Sequence, residues 1–185
     1  MREQQLSDIV AGRAYEDGRA EVRRRVLEEL APPRRVHLGD HLTLQFENTE
    51  TLLYRIQEVA RAERLTRDAE LEREIDTYGA LVGGDGELGL TLLIEIADPD
   101  ERPGLLAEWA PLVDHVYARL EDGETAYATR SPRDPGEDEL SSVHYMKLDT
   151  GGRTPIALGS DWEGYRVEVA LSEAQRAALS ADLAG

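Results

Sequence analysis

The sequence predicts one α+β domain, in which a mostly antiparallel sheet packs against N-terminal, central and C-terminal helices. Three observations predict it. Apolar residues recur at helical spacing near both ends and in the middle of the chain. Between these segments, apolar and polar residues alternate, and five strand-like runs follow one another after residue 112. Finally, 185 residues fall within the size range of one domain, so residues 1–185 are interpreted as a single unit.

The first predicted element is a helical region from Ser7 to Leu30. Its apolar residues recur at helical spacing, and Ser7 is a suitable N-cap. Gly12 and Gly18 interrupt the pattern, which favours two helical pieces rather than one. Pro32 and its neighbouring proline end the region, because proline removes a backbone donor and restricts the residue before it.

Apolar residues recur at every second position after these prolines, which is typical of β-strands. Gly39-Asp40 separates two such runs, so the segment is interpreted as a hairpin or a bulged strand pair. Asn48 or Thr49 then caps a helix that runs to about Leu65. A second helix is predicted over residues 67–77.

A glycine-rich turn and the clearest strand occupy the middle of the chain. The run Gly83–Gly86 is interpreted as a turn, because no lysine, no GxGxxG spacing and no helix start accompany it. Residues 88–96 carry leucine or isoleucine at alternate positions, which predicts a central strand. A short helix is predicted over Pro103–Trp109.

The C-terminal part is predicted to be mainly β-structure before a final helix. A polar, proline-bearing loop, SPRDPGEDEL, separates the second and third runs and is interpreted as a mobile surface loop. Ser172 is the predicted N-cap of the last helix, which ends at Leu183. The five strand-like runs are residues 113–120, 125–129, 142–149, 155–160 and 165–171.

The composition limits the chemistry of the chain. There is no cysteine, which excludes disulfides, thiolate metal ligands and thiol nucleophiles. A net charge of −17 argues against nucleic acid as a partner, because phosphate contacts need a basic surface. The N-terminus lacks the apolar core of a secretory signal, and no apolar run is long enough to cross a bilayer. We therefore expect an acidic cytoplasmic protein without a membrane partner.

The helix predicted over residues 49–65 is the best candidate for a functional site, because its charges are not confined to one side. The apolar stripe through Leu52, Ile56 and Val59 continues to Glu63, which predicts that Glu63 is at least partly buried. A buried carboxylate needs a partner, a proton or a metal ion. The helix is therefore interpreted either as a structural or solvated polar face, or as an acid–guanidinium site or a source of metal ligands.

His144 is the histidine of greatest interest. In the run VHYMKL it alternates with Met146 and Leu148, so it is predicted to point toward the apolar side of a strand. Either it is a hydrogen-bonded core residue or it contributes to a site. The histidines show no HxxxH, HExxH or ExxH spacing, so a metal site would combine His144 or His41 with a glutamate of the 49–65 helix.

The chain resembles the bacterial family known as domain of unknown function 3501. Three runs carry the resemblance: YRIQEVxRxER over residues 54–64, RRVHLGDHLTLQFEN before it and SSVHYMKL after it. The order of these landmarks is also similar, so the resemblance covers nearly the whole chain. One departure lies at residues 161–165, which read DWEGY where relatives read Asp-His-Pro-x-Tyr; the missing histidine favours a structural or binding role.

The resemblance extends to eight polar residues, which the pattern of the 49–65 helix and the position of His144 divide into two groups of candidates. The candidates for catalysis are Glu58, Arg61, Glu63 and His144, and the candidates for ligand binding are Glu47, Tyr54, Gln57 and Glu95. No metal ligand is assigned and no cofactor is identified. The resemblance also implies a setting with rubrerythrin-like or iron–sulfur proteins as partners, in an iron-dependent redox or peroxide-stress system.

These observations lead to one functional hypothesis and two alternatives. The chain contains no GxSxG or SxxK motif, so the leading hypothesis is a non-catalytic accessory or binding module of that redox system. One alternative is a metal-dependent or acid/base enzyme with a Glu/Arg/His cluster on the 49–65 helix and the 142–149 strand. The other is a purely structural subunit.

Overall fold

Two antiparallel sheets form the centre of the fold in a computed structural model, which describes residues 8–10, 12–79, 81–131 and 141–184. The strands are β1 Arg35–Leu38, β2 Leu42–Glu47, β3 Glu87–Ile94, β4 Val116–Leu120, β5 Thr125–Tyr127, β6 Thr129–Arg130, β7 Val143–Asp149, β8 Pro155–Ser160 and β9 Val167–Ala170. One sheet has the order β1-β2-β3-β7-β6, and the other has the order β5-β4-β8-β9.

Helices precede, interrupt and follow these strands, which confirms the α+β class and the antiparallel sheet. The helices are α1 Gly12–Arg25, a π-helix Val26–Leu30, a 3-10 helix Pro32–Arg34, α2 Thr49–Glu63, α3 Asp68–Gly79, α4 Arg102–Trp109, a 3-10 helix Ala110–His115 and α5 Glu173–Leu183. Within the described ranges, no helix combines the length and the apolar character that crossing a membrane requires. Ser7 and residues 132–140 of the predicted loop lie outside the described residues.

The two faces of the five-stranded sheet are covered by different partners. Register places Leu44, Leu92 and His144 side by side on one face, and Gln45, Thr91 and Tyr145 on the other. The first face shares one core with Val116, Ala118 and Leu158 of the four-stranded sheet. The second face is covered by α2, whose buried Leu52 and Ile56 form a smaller core with Leu81 and Tyr145. The five-stranded sheet therefore separates α2 from the four-stranded sheet.

The N-terminal helix differs from the prediction at one glycine. α1 begins at Gly12 but continues through Gly18, so the break predicted at Gly18 is wrong. A glycine inside a helix costs only about 1 kcal/mol relative to alanine, and the packing of Tyr15 and Val26 on the rest of the protein offsets that cost. The helix instead changes its geometry at Val26, where the π-helix starts.

The start of α2 is fixed by a reciprocal cap at Asn48, one of the two residues predicted as its N-cap. The Asn48 side chain accepts a hydrogen bond from the Thr51 backbone N–H at 2.9 Å, and the Asn48 N–H donates to the Thr51 hydroxyl at 3.0 Å. The helix ends where Arg64 adopts a left-handed conformation with φ of 56°. α2 is thus held at both ends while one side packs on the sheet.

Candidate binding cleft

A cleft of about 640 Å³ lies between α2, the π-helix and the sheet face that α2 covers. Its volume is in the range of roughly 300–1,000 Å³ that is common for small-molecule sites. Most of its surface is apolar, with polar side chains on α2 and β2. The lining residues are Val26, Leu27, Ala31, Gln45, Glu47, Thr51, Tyr54, Arg55, Glu58, Val59, Ala62, Glu63 and Leu93. Four predicted candidates, Glu47, Tyr54, Glu58 and Glu63, therefore line one cleft.

Glu47 is the buried acid of the cleft. It lies at the end of β2 and is only 3% exposed. Its carboxylate accepts a hydrogen bond from the Thr51 hydroxyl at 2.8 Å and a second one from Arg55. Burial raises the pKa of Glu47 above its usual value, although Arg55, the Thr51 hydroxyl and Arg34 act in the opposite direction. Glu47 is thus a buried acid held by two hydrogen-bond donors, and burial favours its protonated form relative to a carboxyl group in water.

Arg55 joins the buried acid to the open part of the cleft. One of its terminal amino groups donates to Glu47, while its side chain remains 32% exposed. The guanidinium carbon lies 6.0 Å from the centre of the Tyr78 ring. No other residue in the described part of the chain accepts a hydrogen bond from the remaining N–H groups of Arg55. Arg55 therefore keeps donors available for a ligand.

Glu58 has a different environment, although it lines the same cleft. It accepts hydrogen bonds from Tyr15 at 2.8 Å and from two nitrogens of Arg19 at 2.7 and 2.6 Å. The Arg19 guanidinium is the main reason that the pKa of Glu58 falls to about 2. Glu58 stays ionised at neutral pH, and its pairing with Arg19 connects α1 to α2.

Tyr54 and Glu63 also line the cleft. The Tyr54 hydroxyl accepts a hydrogen bond from Arg23 at 3.2 Å. Glu63 is exposed, so its predicted burial is wrong. The buried stripe of α2 runs through Leu52, Ile56 and Ala60, at intervals of four residues, and this line does not pass through Glu63.

Gln57 and Arg61 point away from this cleft. The buried Gln57 side chain accepts a hydrogen bond from the Val10 N–H at 3.0 Å. Arg61 pairs with Glu16 at 2.6 Å on the surface. Both residues line a second hollow of about 460 Å³ beside α1. The 49–65 helix thus distributes its polar residues over two different depressions.

His144 lies on the other side of the five-stranded sheet from α2. Its register partner is Leu92, on the face that packs against the four-stranded sheet. The ring is buried, and its Nε2–H donates to the Ser141 carbonyl at 3.0 Å. Because the sheet intervenes, the predicted cluster of Glu58, Arg61, Glu63 and His144 is not assembled. The geometry of His144 matches the alternative of a hydrogen-bonded core histidine.

Glu95 also lies outside the cleft. It follows β3, and its exposed carboxylate accepts a hydrogen bond from the Thr43 hydroxyl at 2.5 Å. Arg35 pairs with the same carboxylate at 3.4 Å. His41 packs edge-on against Trp109, with 5.4 Å between the ring centres. Within the described ranges, no three His, Asp or Glu side chains come together as a group that could hold a metal ion.

Arg55 is the functional candidate that sequence reasoning missed. Glu47, Thr51 and Arg55 are spaced four residues apart, starting at the last residue of a strand and continuing into α2. Four-residue spacing on a helix places side chains on the same face, so Thr51 and Arg55 both reach back to the acid before the helix. This spacing is the signal for Arg55 that the sequence contains.

Comparisons with known proteins agree with the resemblance seen in the sequence. The model of the family described as "Protein of unknown function (DUF3501)" matches residues 4–183. A crystal structure at 1.90 Å from Burkholderia pseudomallei K96243, described as a novel protein of unknown function, has a TM-score of 0.89 to this chain. The two sequences are 25% identical, and the alignment covers 98% of this chain and 100% of that chain. The search of curated proteins gave no match. Since the family model spans almost all of the sequence, the chain belongs to the DUF3501 family.

Proposed function

We propose that this protein is a binding module whose cleft between α2 and the π-helix takes a small amphipathic molecule. The observation that carries the proposal is a polar pair, Glu47 and Arg55, at the inner end of a cleft with mainly apolar walls. Apolar walls supply affinity in proportion to the surface they cover, and a few polar groups fix the orientation of a ligand. The cleft has both properties.

The elements around the cleft hold its walls in fixed positions, which supports a preorganised binding site. α2 is capped by Asn48 and joined to α1 through the pair of Glu58 and Arg19. The π-helix forms the opposite wall, and such helices are often found at functional sites. Arg34 donates to the Leu30 carbonyl at 2.7 Å and so fixes the end of that wall. Little reorganisation is therefore required when a ligand enters.

A fluorescence titration with the neutral apolar dye N-phenyl-1-naphthylamine tests this proposal. Ala62 is an exposed residue of α2 that lines the cleft, and Ala69 is an exposed residue of α3 outside it. We expect wild type and Ala69→Trp to bind the dye equally, and Ala62→Trp to bind it at least about tenfold more weakly, because the indole fills the cleft. Equal binding by both tryptophan variants, or no binding by wild type, would refute the proposal.

Acid/base catalysis in the same cleft is a second candidate function. The observation that favours it is Glu47, a buried carboxyl group with a raised pKa beside an arginine. In this version the acid/base group is Glu47, in place of Glu63 or His144. An activity screen should run wild type beside Glu47→Gln and Glu50→Gln, since Glu50 is an exposed carboxylate in the first turn of α2 and pairs with Arg25. Turnover that survives in Glu47→Gln would exclude this candidate.

A partnership with a rubrerythrin-like or iron–sulfur protein is part of the accessory role that we propose. Its support is the family resemblance, together with a cysteine-free chain that has no thiolate ligands for a cluster of its own. A tagged chain isolated from its native cells should retain an iron protein. If the partner binds at the cleft, the Ala62→Trp variant should retain less of it than the wild type. Repeated isolation of the chain alone under mild conditions would count against this partnership.

A further inference from the structure

The hydrogen-bonding groups of the cleft divide into those already paired and those still available. The two inner carboxylates are paired: Glu47 with Thr51 and Arg55, and Glu58 with Tyr15 and Arg19. Because these carboxylate oxygens already accept hydrogen bonds from the protein, few acceptors remain for the donor groups of a ligand.

Two side chains that line the cleft still have hydrogen-bond donors available. A guanidinium group has five N–H bonds, and Arg55 uses one amino group on Glu47, with no further acceptor among the described residues. Its neighbour Tyr54 also lines the cleft, and its hydroxyl oxygen accepts from Arg23. No described residue accepts a hydrogen bond from the Tyr54 O–H. Arg55 and Tyr54 thus contribute a guanidinium and a hydroxyl donor to the lining of one cleft.

The charge around these donors selects among the possible acceptors. Arg55 and Arg19 already offset the charges of Glu47 and Glu58, and the exposed Glu63 adds a further negative charge, so a doubly charged phosphate would meet more repulsion than a singly charged group. A planar, singly charged carboxylate matches the fork of N–H groups on arginine and carries less charge. The apolar walls formed by Leu27, Val59 and their neighbours favour a hydrocarbon chain on the ligand.

We propose that the ligand of this cleft is an amphipathic carboxylic acid, whose carboxylate binds Arg55 and Tyr54 and whose hydrocarbon chain lies along the apolar walls. This inference rests on the proposed function of the cleft and adds the chemical class of its ligand. The exposed carboxylate of Glu63, which also lines the cleft, is screened by solvent.

Three probes of equal chain length separate the carboxylate from the hydrocarbon: octanoate, 1-octanol and octylamine. Each displaces the neutral dye N-phenyl-1-naphthylamine from the wild-type protein at neutral pH, and the dissociation constants are compared. We expect octanoate to bind about tenfold or more tightly than 1-octanol, since hydrogen bonds to a charged acceptor are stronger than those to a neutral one. Octylamine is expected to bind more weakly than octanoate.

Two variants assign this preference to residues. Tyr54→Phe should weaken octanoate binding several-fold and leave 1-octanol unchanged. Arg55→Gln alone would leave the buried Glu47 carboxylate without its ion-pair partner, so it is combined with Glu47→Gln. This double variant should bind octanoate no more tightly than 1-octanol. Tyr127→Phe is the matched control, because Tyr127 is exposed on β5 in the other sheet and donates to Asp161.

The outcomes distinguish this inference from the proposed function. If 1-octanol binds as tightly as octanoate, or octylamine binds more tightly, the carboxylate inference is overturned while the cleft remains a binding site. If Tyr54→Phe and the double variant keep the full preference for octanoate, the assigned residues are wrong and the inference fails. If the dye binds but none of the three probes displaces it, the inference fails while the proposed function stands; if the dye itself does not bind, both fail.

Discussion

Replacing Arg34 should destabilise this protein more than any change at a surface arginine. The Arg34 and Asp182 side chains are 8% and 4% exposed, and two parallel hydrogen bonds of 2.7 Å join them. Arg34 also donates to the Leu30 carbonyl at 2.7 Å. In Arg34→Ala, the buried Asp182 carboxylate would keep only the Asn48 amide, at 3.3 Å.

The expected loss follows from the charge left behind. Removing one member of a buried ion pair costs about 3–5 kcal/mol, because the remaining charge has lost both water and its partner. Arg35→Ala is the matched control, since Arg35 is 45% exposed and pairs with Glu95 at 3.4 Å. Exposed pairs of this kind contribute about 0–1 kcal/mol. The two neighbouring arginines should therefore differ by about 2–5 kcal/mol.

Urea unfolding followed by circular dichroism at 25 °C gives the free energy of unfolding of both variants. A double variant, Arg34→Met with Asp182→Leu, removes both charges and should recover a large part of the loss. If Arg34→Ala and Arg35→Ala lose the same amount, or if the double variant is no better than Arg34→Ala, the account of a desolvated pair is incorrect.

Two further predictions concern Glu58 and Gly89. The pKa of Glu58 falls from its ordinary 4.5 to about 2 beside Arg19, so the pair stabilises the fold above about pH 4.5 and loses its effect as the pH falls toward 2. After allowance for solvent screening, Glu58→Gln should lower the free energy of unfolding by about 1–2 kcal/mol at pH 7 and hardly change it near pH 2. A loss of stability that does not depend on pH would contradict this reasoning. A β-carbon added at Gly89 would lie 1.6 Å from the Leu81 carbonyl oxygen, so Gly89→Ala should cost at least about 1–3 kcal/mol in urea unfolding. Gly18→Ala, with nothing within 4 Å of its added carbon, should be neutral or stabilising, and equal losses at the two glycines would be inconsistent with the steric explanation.

The sequence predicts the elements of this fold well because local patterns determine them. The alternation over residues 88–96 depends on neighbours a few residues away, and the structure has a strand there. The stripe of α2 is found at Leu52 and Ile56, but it continues to Ala60 and not to Glu63. The run 125–129 is less predictable: it becomes two strands, β5 and β6, that belong to different sheets. Nothing local distinguishes one strand from two here, because the change depends on which distant strands offer partners.

The candidate site was predicted only in part, because its assembly depends on sheet faces. Sequence reasoning identified Glu47, Tyr54 and Glu58, which do line the cleft. It also predicts that His144 lies beside Glu58, Arg61 and Glu63, because an inward residue on a strand is expected to meet an inward face of a helix. A sheet covered on both faces buries side chains on each of them. The alternation within one strand assigns neighbouring residues to opposite faces, but it does not show which face packs against α2.

The change of sheet between β5 and β6 has a consequence for how the protein opens. Thr125–Tyr127 belongs to the four-stranded sheet and Thr129–Arg130 to the five-stranded sheet, with Ala128 alone between them and its N–H bonded to Val116. A single extended segment thus belongs to the hydrogen-bonded strands of both sheets. Unfolding of one sheet therefore destabilises the other. In amide hydrogen exchange, both sheets should form one cooperative unit, while α1, on the outer side of α2, opens separately at a lower free energy.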